Sequence, residues 1–129
     1  MRKVESQFGQ SPFQQKLRVG DLHFLSDAQV SKGGGGTGPS PSEYLCAALA
    51  ACTSMTLKMY ASRKAMSLEN AIVTVDIERL DDVEKFTCDI QLIGNLNSED
   101  KERLIEIANK CPIHKALAGQ IQIKTQLIN

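Results

Sequence analysis

The chain has 129 residues, 42% of them hydrophobic and 23% charged, which fits one domain over residues 1–129 and is too short for two of ordinary size. Fifteen Lys and Arg offset fifteen Asp and Glu, with no basic cluster and no Trp, so the electrostatic and stacking surfaces of nucleic-acid binders are excluded. The start, MRKVESQFGQSPF, lacks an apolar run of signal-peptide length, and the longest uncharged stretch, the fourteen residues Tyr44–Leu57, is too short to span a bilayer. The expectation is a cytoplasmic protein with no membrane or nucleic-acid partner.

Lys3–Phe8 and Phe13–Val19 read as short strands interrupted by Gly9 and Pro12. Leu22–Ser26 returns as a hairpin partner after the turn signal Val19-Gly20-Asp21-Leu22. Residues 31–42 carry five glycines and two prolines and read as a loop. The gap from Gly33 to Gly38 resembles a phosphate cradle, but Pro39-Ser40 stands where Lys-Ser/Thr is required.

Pro41-Ser42-Glu43 opens a helix that runs to about Ala65, with a carboxylate in its first turn. Charges return only from Lys58 onward, so the helix reads as apolar all round in its first half and as the central core element. Residues 71–80 alternate strictly, Asp81-Asp82 turns the chain, and residues 84–93 alternate again with Phe86, Cys88, Ile90 and Leu92 on one face. Asn97-Ser98-Glu99-Asp100 caps a helix to about Lys110 with the stripe Leu104, Ile105, Ile107 and Ala108. Pro112–Ala118 is a short third helix stopped by Gly119, and Ile121, Ile123 and Leu127 form a last strand. This order predicts an α+β protein with antiparallel sheet against helices.

Four cysteines are left to explain, and a reducing compartment makes a structural disulfide framework the wrong reading for them. Cys88, on an apolar strand face, reads as packing, with a thiol pKa raised by burial. Cys46 and Cys52 share a helix six residues apart, about 120° and 9 Å from one another, so they cannot bond within it. Cys111 falls at the cap of the third helix, where unsatisfied N–H groups lower a thiol pKa, and His114 follows one turn later. A zinc set of Cys46, Cys52, Cys111 and His114 is the metal alternative, weakened by the divergent directions of the first two.

The segments GPSPSEYLCAALAACTSMTLKMYA and, about sixty residues on, NKCPIHKAL resemble the OsmC/Ohr family of small thiol peroxidases, over most of the chain from Gly33 onward. The resemblance implies antiparallel sheets wrapped around a long central helix in an intertwined homodimer. It also implies two-cysteine reduction of small organic hydroperoxides to alcohols, an antioxidant activity against oxidative stress, with no metal and no organic cofactor. By position Cys52 matches the peroxidatic cysteine, Cys111 the resolving cysteine and Glu43 the carboxylate that opens the family's helix. Oxidation would run through a Cys52 sulfenic acid to a Cys52–Cys111 disulfide, reopened by a dithiol reductant, often a lipoyl group in the family.

Glu43 and Cys52 lie nine residues apart, half a turn out of phase and about 13 Å along one helix, so joint service implies a second subunit or a kink. The family's early Arg is replaced by Phe8-Gly9-Gln10-Ser11, with Arg18 the nearest candidate. Without a cation the Cys52 thiolate is poorly stabilised. The alternative reading is therefore a binding or redox-sensing module on the same fold with little turnover. Leu49, Met55 and Met59 lie near Cys52 as pocket or core residues.

Overall fold

The computed structural model describes residues 1–129. Two compact units divide the chain, residues 1–45 and 46–129. Both combine antiparallel strands with helix, so the protein is α+β.

The first unit holds β1 (Val4–Phe8), β2 (Gln15–Val19) and β3 (Leu22–Ser26) as one antiparallel sheet in the order β1-β2-β3. Val19 pairs with Leu22, so Gly20-Asp21 is a two-residue hairpin loop, and Gly20 takes the left-handed φ of +58° that so tight a turn requires. Phe13, expected in the second strand, lies before it. The glycine-rich loop contains only a 3-10 turn at Val30–Lys32.

The buried carboxylate of Asp27 organises that loop. It accepts from the Thr37 hydroxyl (2.6 Å), the Thr37 and Ala28 amides (3.2 and 2.8 Å) and the Ser11 hydroxyl (2.9 Å). Those donors, the Thr37 hydroxyl foremost, hold the carboxyl far below the usual carboxylate range against the opposing effect of burial. The loop then leads into α1 (Pro41–Arg63) through a reciprocal cap. The Ser40 amide donates to Glu43 Oε1 (2.9 Å), and the Glu43 amide donates to Ser40 Oγ (3.2 Å).

The second unit contains the rest of α1, the long hairpin β4 (Ser67–Leu80) and β5 (Val83–Asn95), α2 (Ser98–Ala108) and α3 (Pro112–Ala118). Asp81 and Asp82 both have positive φ, +50° and +63°, and close the hairpin between Leu80 and Val83 in the sense that matches strand twist. Strand β4 starts four residues before the expected Ala71 because a register shift between Leu68 and Asn70 breaks the alternation that sequence periodicity depends on. From Ala71 onward the pairs Ala71–Leu92, Val73–Ile90, Val75–Cys88 and Ile77–Phe86 line one face.

Leu57 and Ala61 of α1 pack with Leu104 and Ala108 of α2 to form the core, against Met66, Leu68, Ala71, Ile90, Leu92 and Leu96. Asn97 caps α2: its side chain accepts from the Asp100 amide (2.8 Å), and the Asp100 carboxylate accepts from the Asn97 amide.

Four sequence expectations are corrected. Helix α1 is not buried all round; Leu49, Thr53, Leu57 and Ala61 form one buried stripe at four-residue steps, while Leu45, Met55 and Met59 are exposed. Ile105 does not belong to the buried stripe of α2 and is exposed. Cys88 shares the predicted sheet face yet is exposed rather than packed. Ile121, Ile123 and Leu127 are exposed and form no strand, because no strand of this chain pairs with them and an unpaired extended segment leaves its backbone groups to water.

Candidate active site

Two segments distant in sequence build the site. Helix α1 presents Cys52 and Thr53, and the chain between α2 and α3 presents Cys111. Pro112 cannot continue α2 but suits the first position of α3, so the backbone turns at Cys111, which becomes the cap residue of α3. Its Sγ accepts from the His114 amide at 3.2 Å and from the Thr53 hydroxyl at 3.7 Å, across 58 residues of sequence. The Cys52 thiol donates to the same sulfur. Cys111 has no accessible surface, whereas Cys52 is partly exposed.

The two thiols are unequal. Burial pushes the Cys52 thiol up; the Ile113 amide opposes it, the neighbouring Cys111 sulfur adds to the rise, and the Thr56 hydroxyl opposes it least. At Cys111 burial also disfavours the thiolate, but donation from the His114 amide, the Thr53 hydroxyl, the Cys52 thiol and the Ile113 amide outweighs it. Of the two thiols Cys111 is therefore the easier to ionise and Cys52 the harder. Both directions agree with the sequence: a capped Cys111 lowered, a Cys52 without a cation raised.

A cavity of about 320 Å³ opens beside Thr53, walled by Leu49, Phe86, Ile90 and Ile105, with Cys88 and His114 also on its lining. An apolar-walled space of this size, lined by Thr53 and His114 that both donate to Cys111, suits a small uncharged organic molecule. Leu49 is thus a wall residue as well as core, while Met55 and Met59 point to solvent in the isolated chain. His114 contributes its backbone amide to Cys111 and also lines the cavity.

Glu43 and Arg18 belong to the first unit and have partners of their own there. Glu43 completes the cap with Ser40, whose amide is the main reason its carboxyl lies below the usual range. Arg18 pairs with Glu5 at 3.3 Å across β1 and β2 and donates to the Gly20 carbonyl. Cys46 is half-buried in α1. No three His, Cys, Asp or Glu side chains are grouped to hold a metal ion, and no helix is long and apolar enough to cross a membrane.

Sequence reasoning missed Thr53, and its one available signal was a hydroxyl residue adjoining Cys52 in an otherwise apolar stretch. It also missed the approach of Cys88 to this cluster. The Thr53 hydroxyl lies against the Cys88 thiol as well, and Cys111 is near enough to repel charge on it. Nothing in a linear pattern announces that approach.

The profile of the OsmC family, described as OsmC-like protein, matches residues 33–126. No curated protein matches the chain. Among solved structures, an OsmC-like protein from Mycoplasma pneumoniae superposes with a TM-score of 0.79 at 16% identity, covering 92% of this chain and 88% of that one. An organic hydroperoxide resistance protein OsmC from Legionella pneumophila gives 0.68 at 24% identity, over 92% and 90%. The organic hydroperoxide resistance protein OhrB of Bacillus subtilis gives 0.62 at 22% identity, over 96% and 95%. At these identities the likeness is one of fold.

Proposed function

The chain belongs to the family of OsmC-like proteins, and on that premise we propose that it is a two-cysteine thiol peroxidase reducing organic hydroperoxides to alcohols. The observation that carries this reading is the contact of the Cys52 thiol with the Cys111 sulfur beside an apolar-walled cavity. The names of the Legionella and Bacillus relatives, both organic hydroperoxide resistance proteins, agree with it.

The proton asymmetry of the pair suggests the order of events. Cys52 transfers its proton to the Cys111 thiolate as its sulfur attacks the outer peroxide oxygen. The O–O bond breaks, the alkoxide takes that proton and leaves as alcohol, and Cys52 becomes a sulfenic acid. Cys111, again a thiolate, attacks the Cys52 sulfur and expels hydroxide, which takes a proton from solvent and leaves as water, and a Cys52–Cys111 disulfide remains. A dithiol, of lipoyl type or similar, returns two electrons and two protons by exchange. Cys111 thus acts as the base that takes the Cys52 proton, and the sulfurs carry the redox change without metal or organic cofactor. A reducing compartment such as the cytoplasm would keep both thiols ready.

A homodimer belongs to this reading. Met55 and Met59 on α1 and the unpaired Ile121, Ile123 and Leu127 leave apolar surface that a second, intertwined copy would cover. Glu43 and Arg18, engaged within their own unit here, would serve the chemistry in that assembly. Light scattering tests it directly, since a stable monomer at micromolar concentration contradicts the dimer.

The raised Cys52 thiol favours a second reading, a redox-sensing module that reacts once and turns over poorly. Addition of tert-butyl or cumene hydroperoxide to the reduced protein, with disulfide mapping, separates the two. The peroxidase forms Cys52–Cys111 with sub-stoichiometric peroxide and cycles with dihydrolipoamide. The sensor forms the bond without cycling, and an unreactive protein overturns both.

A further inference from the structure

The Cys52–Cys111 pair has an access problem: Cys111 has no accessible surface and Cys52 is only partly exposed. A third thiol, exposed and on the cavity lining, lies near this pair. Cys88 projects from β5, opposite Val75, onto the face that lines the cavity, and it is exposed. The Thr53 hydroxyl that donates to Cys111 at 3.7 Å also lies against the Cys88 sulfur. Cys111 is close enough that charge on its sulfur would disfavour charge on Cys88. One buried hydroxyl thus gathers two sulfurs from β5 and the α3 cap, while Cys52 donates to Cys111 from its other neighbour, α1. Packing alone does not call for a cysteine at an exposed position.

We propose that Cys88 is a third redox thiol, which takes over the disulfide from Cys52 and presents it as Cys88–Cys111 at the cavity mouth, where the dithiol reductant reaches it. This rests on the two-cysteine peroxidase reading and extends it. Cys88, as thiolate, attacks the Cys111 sulfur of the Cys52–Cys111 disulfide. The S–S bond breaks, its electron pair leaves on Cys52, and Cys52 regains the proton that Cys88 released. The exchange is redox-neutral: one disulfide and one thiol enter and leave. It restores Cys52 as a thiol before any outside reductant arrives. The dithiol then attacks the exposed Cys88 sulfur, forms a mixed disulfide, and closes on itself, leaving Cys88 and Cys111 as thiols.

Full-length reduced protein treated with one equivalent of tert-butyl hydroperoxide, quenched at intervals with acid and alkylating agent and mapped by mass spectrometry, tests this. Cys52–Cys111 should appear first and Cys88–Cys111 should grow at its expense, within single chains. The Cys88→Ser protein should stop at Cys52–Cys111, and dihydrolipoamide should reopen that bond roughly tenfold more slowly than in the unmodified protein, because access to sulfur limits exchange. Persistence of Cys52–Cys111 alone in the unmodified protein, or equal rates of reopening, overturns the Cys88 role and leaves the two-cysteine reading intact. Absence of any Cys52–Cys111 bond overturns both.

Discussion

Cys52 and Cys111 are joined by one hydrogen bond but ionise unequally, because Cys111 collects donors from the His114 amide, the Thr53 hydroxyl and the Cys52 thiol. A buried thiolate without a cation is costly, so donors take the cation's place. The two residues therefore perturb one another in opposite directions, and removal of each should move the other predictably. In Cys111→Ala protein the Cys52 titration should move down, since a negative neighbour and an acceptor are gone. In Cys52→Ala protein the Cys111 titration should move up through loss of a donor. Alkylation rate against pH for each single-cysteine background reads both, and shifts of the same sign would sink that account.

Thr53 is buried, and its hydroxyl reaches Cys111 at 3.7 Å. Thr53→Val keeps the shape and removes the donor. A long sulfur contact of this kind contributes about 1 kcal/mol to the thiolate, so disulfide formation at neutral pH should slow about fivefold. Raising the pH should recover much of the loss, whereas damage to packing would not respond to pH. Stopped-flow peroxide consumption from pH 6 to 9 distinguishes the two.

The cavity wall sets substrate preference. Ile105 is exposed at one edge of its helix and lines the cavity, so Ile105→Lys should leave the fold intact while placing a charge beside an apolar substrate. Loss of that contact should raise KM for cumene hydroperoxide about tenfold, the value of a well-buried apolar group. The KM for hydrogen peroxide, which has no apolar part to bury, should change little. Equal changes for both peroxides would place the substrate elsewhere.

Asp27 links acid stability to the glycine-rich loop. Its carboxyl is held far below its ordinary 3.8, so the stabilisation is complete above that value and is lost as pH falls through the lower folded value. Asp27→Asn replaces an acceptor oxygen with a donor facing Thr37, Ser11 and Ala28, and should lower Tm at pH 7. The gap in Tm between the two proteins should narrow as the pH drops from 5 toward 2. A gap independent of pH would mean that the carboxylate charge is not what holds the loop.

Local chemistry made much of the fold legible from residues alone. Gly20-Asp21 and Asp81-Asp82 marked the two-residue turns of β2–β3 and β4–β5, Asn97 marked the start of α2, and Pro112 placed Cys111 at a helix cap, because turns and caps depend on a few adjacent residues. The PSE…AAC and CP segments carried the family and pointed to Cys52 and Cys111. The alternation of β4 was legible only beyond its bulge, since one extra residue reverses the phase. The last strand failed because a strand needs a partner, and this chain supplies none.

The four cysteines met at the outset are divided by contacts that span the chain. That Cys111 is the more readily ionised member of its pair follows first from the His114 amide at its cap, and then from Thr53 arriving 58 residues away. Cys88 read as packing because alternation reports which face a residue takes and not how much of that face is covered. Its exposure, and its place beside Thr53, come from how α1 and α3 meet the β4–β5 hairpin. Periodicity and capping act over one or two turns of chain, whereas a site made of sulfurs from a helix, a strand and a cap exists only once those elements pack.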